Sequence, residues 1–361
     1  MLEFIDEELN NLKQAGLYRK LKTIEKISGA KVTINGKEYL NFCSNNYLGL
    51  ANHPKVIEKS IEIIKRFGFG AGASRLICGN TTIHELLEEK LANFKEREAA
   101  ILFPTGYMAN LGTITALVNE NDTVIIDRLN HASIIDACKL SKAKLQVYPH
   151  LDMKALEKIL QKSGKYKKRL IVTDHVFSMD GDIAPLEQIV KLSKKHQAIT
   201  MIDDAHAVGL KVSAEVDIVM GTLSKALGSL GGFVCGSQEL INYLRNKARS
   251  FIYTTALPMA ACGAAIAALE VIESEPELIR NLRINLRFLG SETPIIPIII
   301  GKADKAMEIS QKLFDQGILV SAIRPPTVPK GQSRLRITVS AMHTKEDLTC
   351  LASLLQPLIP R

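Results

Sequence analysis

The chain has 361 residues, 46% hydrophobic and 23% charged, a balance typical of a soluble globular protein long enough for a large domain and a smaller one. It has no tryptophan and only 5% aromatic residues, which argues against base-stacking platforms and a nucleic-acid partner, and its net charge of +8 is scattered apart from a run at Lys165, Lys167, Lys168 and Arg169 that reads as a solvated loop or helix end. The six cysteines lie far apart with no CxxC or Cys/His cluster, so they are expected to be reduced, mostly buried residues of a cytoplasmic protein, with no metal site.

Leu2, Ile5, Leu9 and Leu12 repeat at helical spacing. The same acidic start lacks the basic-then-apolar pattern of a signal peptide. Lys31–Ile34 and Tyr39–Phe42 flank Asn35-Gly36, a strong two-residue hairpin signal. From about residue 50 to 240, helical patterns alternate with short strands: Ala99–Phe103, Thr123–Asp127, Leu145–Tyr148, Leu170–Thr173, Ile199–Asp203, Asp217–Met220 and Gly232–Cys235. Several are continuous apolar runs, as expected where helices cover both faces of a mainly parallel α/β sheet. The longest uncharged run, Ser250 to Leu269, is interrupted by Pro258 and Gly263 and reads as a packed helix, not a membrane span. Strands Ile295–Ile300, Leu319–Ile323 and Leu335–Val339, with a helix over Lys305–Gln316, predict a smaller α+β unit. The expected division is an N-terminal helix and hairpin segment (1–48), a large domain (49–272) and a small C-terminal domain (273–361).

Polar residues gather where these strands end, the place where open α/β sheets bind ligands. One strand runs into Asp203-Asp204-Ala205-His206, the next into Thr222-Leu223-Ser224-Lys225, a third into Thr173-Asp174 with Ser178 a few residues on, and a fourth into Pro104-Thr105-Gly106-Tyr107 and a helical pattern. Taken singly, a strand-terminal Asp pair is loop capping, a lysine is solvated and a glycine is turn chemistry. Together they meet the needs of a pyridoxal-phosphate site. Lys225 offers an amine for the aldehyde, Asp203 a carboxylate for the pyridine nitrogen, and Gly106-Tyr107 backbone N–H groups for the phosphate.

Asp203-Asp-Ala-His206, Thr222-Leu-Ser-Lys225-Ala-Leu-Gly, Phe177-Ser-Met-Asp-Gly-Asp182 and Asp127-Arg-Leu-Asn-His131-Ala-Ser resemble the α-oxoamine synthase family. The resemblance runs from Ser44-Asn-Asn-Tyr-Leu-Gly-Leu50 to Arg334-Leu-Arg-Ile-Thr338. It implies a fold-type I pyridoxal-phosphate transferase with a seven-stranded sheet, which joins an amino acid to an acyl thioester with loss of CO2. Ile323-Arg-Pro-Pro-Thr-Val-Pro329 resembles the branch that uses L-alanine and a pimeloyl thioester in biotin synthesis, whereas Arg75-Leu-Ile-Cys-Gly79 resembles the sibling that uses glycine and acetyl-CoA. The first segment weighs more, because it lies where the family contacts substrate. A non-catalytic pyridoxal-fold binding protein is the alternative of another class, opposed by the complete set of Lys225, Asp203, His206 and Arg336.

By this resemblance Lys225 is the cofactor-bearing lysine and proton carrier, Asp203 the pyridinium partner, His206 the partner of the phenolic oxygen and His131 the ring-stacking residue. Ser178 and Thr222 complete polar contacts around ring and lysine; Gly106 and Tyr107, with Thr254 and Thr255 of a partner subunit in a homodimer, hold phosphate. Arg336 clamps the amino-acid carboxylate, its neighbour Arg334 being expected at the surface, and Asn45, Arg19 (read as helical) and Thr327 fall at substrate-side positions. Three departures stand out: a short stretch from Ala207-Val208-Gly209 to Asp217, His175 where a small residue is usual, and a short Leu282–Thr293 segment. They leave open whether the acyl donor is CoA or an acyl carrier protein.

Overall fold

The computed structural model describes residues 2–207 and 214–359; the short stretch expected after His206 falls mostly on 208–213, outside the described residues. The chain forms two compact units, one of Met1–Gly49, Met179–Gly181 and Leu278–Arg361, the other of Leu50–Ser178 and Asp182–Glu277. In chain order the strands are β1 (Lys26–Ser28), β2 (Lys31–Ile34) and β3 (Lys37–Asn41) in the first unit. The second unit holds β4 (Ala99–Phe103), β5 (Thr123–Asp127), β6 (Lys144–Tyr148), β7 (Arg169–Asp174), β8 (Ile199–Asp203), β9 (Ile218–Thr222) and β10 (Gly232–Gly236). The chain then returns to the first unit with β11 (Ile295–Gly301), β12 (Ile318–Leu319), β13 (Ser321–Ile323) and β14 (Ser333–Thr338).

The seven strands of the larger unit lie in the order β4-β10-β9-β8-β7-β5-β6. The neighbours from β9 to β6 run parallel, and β10 is antiparallel to both β9 and β4. This is the mainly parallel sheet expected of fold-type I. The apolar runs have the cause inferred for them, since β5 and β10 are buried at every position. Alternate residues Ile101, Phe103, Val124, Ile126, Leu170, Val172, Met220 and Val234 pack with Ala109, Ile114, Ile134, Ile241 and Leu244 of the covering helices. Each of these side chains other than Ala109 contributes roughly 1.5–3 kcal/mol by leaving water.

Strand β9 starts and ends later than predicted. Before it, Asp217 is held by side-chain bonds, with Thr200 N and Oγ1 both donating to Asp217 Oδ2 at 2.7 Å, so no backbone ladder forms there. After Met220, pairing with β10 extends the strand to Thr222, which lies opposite Gly232.

In the smaller unit the Asn35-Gly36 turn closes β2 and β3 with positive φ at both residues (50° and 71°), the geometry its sequence predicts. The single strand expected over 319–323 is two: β12 pairs with β3 in parallel and β13 pairs with β14, with buried Val320 at the changeover. The same β3–β12 pairing ties the first 49 residues to the C-terminal segment. Arg19 is not helical. The first helix, Glu3–Gln14, is closed by Leu17 and Tyr18 N–H groups that both donate to Leu12 O, and the chain beyond is irregular.

Arg334 is not at the surface either: residues 334 and 336 share a face of β14 and both are buried. Only half of the cysteines are buried (Cys138, Cys235, Cys262), while Cys78 and Cys350 are exposed. Among the described residues no helix is long and apolar enough to cross a membrane.

Candidate active site

A cavity of about 220 Å³ opens in the larger unit, at the carboxyl ends of its parallel strands. After β4, Thr105 caps the helix Gly106–Leu117, its Oγ1 accepting from Met108 N at 3.1 Å. Gly106 and Tyr107 stand in the first turn, where N–H groups have no intrahelical acceptor and the helix dipole is positive. Backbone approach here is close. A Cβ on Gly232 of β10 would stand 2.6 Å from Gly106 N and from Thr105 O. On the far side of β10, Thr222 Oγ1 donates to Gly231 O at 2.9 Å and lies 2.7 Å from Ser224 Oγ, so a tight turn presents Lys225 to the cavity.

The floor comes from β7 and β8, whose last residues Asp174 and Asp203 are paired in register. Asn110, buried in the apolar helix after Gly106, donates through Nδ2 to Asp203 Oδ2 and to Ser133 Oγ, both at 2.8 Å. Ala205 N donates to Asp203 Oδ1 at 3.0 Å. His131 caps the helix Ala132–Ser141, with Nδ1 2.8 Å from Ser133 Oγ and its backbone N–H donating to Asp174 Oδ1 at 3.2 Å. His206 Nε2 lies 2.8 Å from Lys225 Nζ.

The electrostatics follow from this crowding. Burial, then the charge of Asp203, holds the Asp174 carboxyl well above the usual carboxylate range. Desolvation lowers the His131 pKa below its ordinary value, with Asp203 opposing and Lys225 reinforcing the shift.

Asp204, the next residue after Asp203, is turned to a different set of partners. It receives His175 Nδ1 at 2.6 Å and Lys95 Nζ at 2.5 Å, and its carboxylate is almost fully buried. Hence His175, unusual in sequence, serves as a partner for a buried carboxylate.

Of the residues singled out in the sequence, Gly106, Tyr107, His131, Asp203, His206, Thr222 and Lys225 line the cavity. Ser178 is half-buried and outside its lining, and Thr254 and Thr255 follow the short helix Arg249–Ile252, half-buried and exposed respectively. The substrate-side positions belong to the smaller unit. There Arg336 is buried, with Nη2 donating to Asn45 Oδ1 at 3.2 Å and Nη1 to Thr338 Oγ1 at 2.9 Å. Arg334 instead pairs with Asp180 at 2.5 Å. Thr327 is exposed, and Arg19 reaches the Pro325 carbonyl at 3.4 Å. Sequence reasoning placed Asp174 among the strand-end polar residues without giving it a role, and missed Asn110 and Ser133 as members of the cavity wall. The readable signal was an Asn inside an otherwise apolar helix.

Residues 37–355 match the aminotransferase class I and II family. The chain is 49% identical to the 8-amino-7-oxononanoate synthase of Thermoanaerobacter pseudethanolicus, over 96% of this chain and 94% of that one. It is also 49% identical to the corresponding enzyme of Lysinibacillus sphaericus, with 96% and 95% covered. Its fold resembles serine palmitoyltransferase from S. paucimobilis with bound PLP–myriocin (TM-score 0.91, 30% identity, 99% of this chain and 97% of that one). It also resembles the 8-amino-7-oxononanoate synthase of Francisella tularensis (TM-score 0.76, 28% identity, 88% and 97%).

The donor set fits pyridoxal phosphate: the first-turn N–H groups of Gly106 and Tyr107, flanked by Thr222 and Ser224 hydroxyls, suit a phosphate, Asp203 a pyridinium, and Lys225 an aldehyde. The chain belongs to the aminotransferase class I and II family, as a pyridoxal-phosphate enzyme on the branch of the 8-amino-7-oxononanoate synthases.

Proposed function

We propose that the chain catalyses the decarboxylative condensation of L-alanine with a pimeloyl thioester to 8-amino-7-oxononanoate. The observation that supports this most is near-full-length identity of 49% to synthases of that product, in a chain whose Lys225, His206 and Asp203 line one cavity. When bound, pyridoxal phosphate supplies the electron sink for charge developing at the amino-acid α-carbon.

The chain's own residues do the rest. Gly106 and Tyr107 N–H groups, with Thr222, hold the phosphate. Asp203, braced by Asn110 and Ala205 N–H, keeps a proton on the pyridine nitrogen. His131 covers one ring face and excludes water there. His206 holds the phenolic oxygen, within reach of Lys225. Lys225 Nζ is the amine of attachment and takes the proton from the α-carbon. Arg336, with Asn45 beside it, binds the alanine carboxylate through its planar fork. Ser178 and Thr327 are assigned to polar contacts with cofactor and substrate, Arg19 to the acyl donor, and Thr254 and Thr255 to the phosphate of the partner's site in a cytoplasmic homodimer.

Arg75 of the Arg75-Leu-Ile-Cys-Gly79 segment is a buried fork to both Glu88 oxygens at 2.9 and 3.1 Å, which gives that segment a packing role. The test is to offer protein loaded with pyridoxal phosphate alanine or glycine with pimeloyl-CoA, pimeloyl-carrier protein or acetyl-CoA, and to weigh the product by mass spectrometry. Product from glycine and acetyl-CoA alone would overturn the reading. Lys225→Ala should lower turnover by about 10³-fold or more. It should also remove the cofactor-bearing peptide seen after borohydride reduction.

A further inference from the structure

Asp174 lines the same cavity, is 3% exposed, and has no part in the reading above, on which this inference rests. It is the register partner of Asp203 on the next parallel strand, so the two backbones are only about 4.8 Å apart. Its Oδ1 receives the His131 N–H at 3.2 Å. From His131 the chain of contacts runs on through Nδ1 to Ser133 Oγ, from Ser133 Oγ to Asn110 Nδ2, and from Asn110 Nδ2 to Asp203 Oδ2, each at 2.8 Å. The two carboxyls therefore end a single hydrogen-bonded arc that wraps the floor and one wall of the cavity.

We propose that Asp174 is a positioning residue of the cofactor site, a buried carboxyl that fixes the His131 backbone, and with it the ring, beside the Asp203 carboxylate offered to the pyridinium.

The arc supports unequal roles. Asp203 accepts an amide N–H and a backbone N–H through its two oxygens, donors that orient a carboxylate anion. Asp174 is buried beside that anion, and two adjacent carboxylates cannot both ionise cheaply. The groups that face Asp174 are Asp203 at the end of β8, Asp127 at the end of β5, the Tyr148 phenol of β6, the His131 cap and Lys225. Burial and the Asp203 charge, with a smaller push from Asp127, outweigh the His131 N–H and Lys225, so the Asp174 carboxyl is held well above the usual carboxylate range.

The sign can be worked out. A carboxyl neutral when folded and ionised when unfolded loses stability as pH rises from its unfolded value of about 4 towards its folded one. An asparagine keeps an acceptor for the His131 N–H and carries no such penalty.

The experiment has two arms. In cofactor-free protein, thermal melts of wild type and Asp174→Asn are compared from pH 5 to 9. The variant's advantage should grow with pH by about 2 °C or more, and a difference that stays flat overturns the proposal. In the second arm, pyridoxal phosphate should bind Asp174→Ala about tenfold more weakly than Asp174→Asn, because only the latter retains the His131 bond. Equal weakening overturns it. Borohydride trapping at Lys225 in wild type reports separately on the cofactor reading, since the thermal arm needs no cofactor.

Discussion

Asp203 and Asp204 are adjacent in the chain and stand in opposite chemical settings. Asp203 faces the cavity and is braced by neutral donors, the Asn110 amide and the Ala205 N–H. Asp204 faces away and is taken up by Lys95 and His175 at 2.5 and 2.6 Å. The difference shows how a sheet end can hold one carboxylate for a visiting cation while using the next as internal cement. Neutral donors orient an anion without cancelling its charge, whereas a resident ammonium group cancels it.

The sharpest way to break this comparison is to remove each charge in turn. Asp203→Asn should cost about 10²–10³-fold in kcat/KM, the scale seen when an electrostatic partner of the reacting centre is lost. Asp204→Asn should appear first in urea unfolding, as a loss of about 3 kcal/mol, because the half-buried Lys95 ammonium group is left without its buried anion. If the two losses were exchanged, the assignment of roles would be wrong.

A smaller effect sharpens the comparison through pH. Burial alone would raise the Asp204 pKa, but the charge of Lys95 and then the hydrogen bond from His175 overcome it and hold it below the ordinary carboxylate value. Its contribution is therefore present above about pH 4 and lost as pH falls through the depressed folded value. Urea unfolding from pH 3 to 6 should show the gap between wild type and Asp204→Asn closing at the acid end. The smallest expected effect is steric. Gly232→Ala should push back the Thr105–Gly106 turn and weaken pyridoxal phosphate binding about tenfold, measured by equilibrium dialysis.

Much of this was legible in sequence, for physical reasons. Strands buried on both faces must be apolar throughout, so the seven-stranded sheet could be read almost to the residue at β4, β5 and β8. Asp203, His206 and Lys225 were visible because they break such runs at a strand end. Asp174 breaks its run just as clearly, yet its meaning depends on β7 and β8 being neighbours in register, which no local pattern states. Arg334 and Arg336 look alike in an alternating strand. What separates them is the partner each finds, Asp180 for one and Asn45 for the other, and both partners are more than 150 residues away in the chain.

The reversed strand β10 has a consequence for how the molecule can be altered. It returns directly from the Lys225 turn and lies between β9 and β4, with Gly232 opposite Thr222 on one side and Phe103 on the other. Leu223 N–H and Thr222 Oγ1 both donate to Gly231 O, closing the link at its base. The Lys225 turn and the Thr105–Gly106 turn are thus mounted on one rung of the sheet. Residues inserted within 223–231 that shift this pairing would move the two proposed anchors of the cofactor against each other, so this segment should be among the least tolerant of length change in the chain, although it is formally a loop.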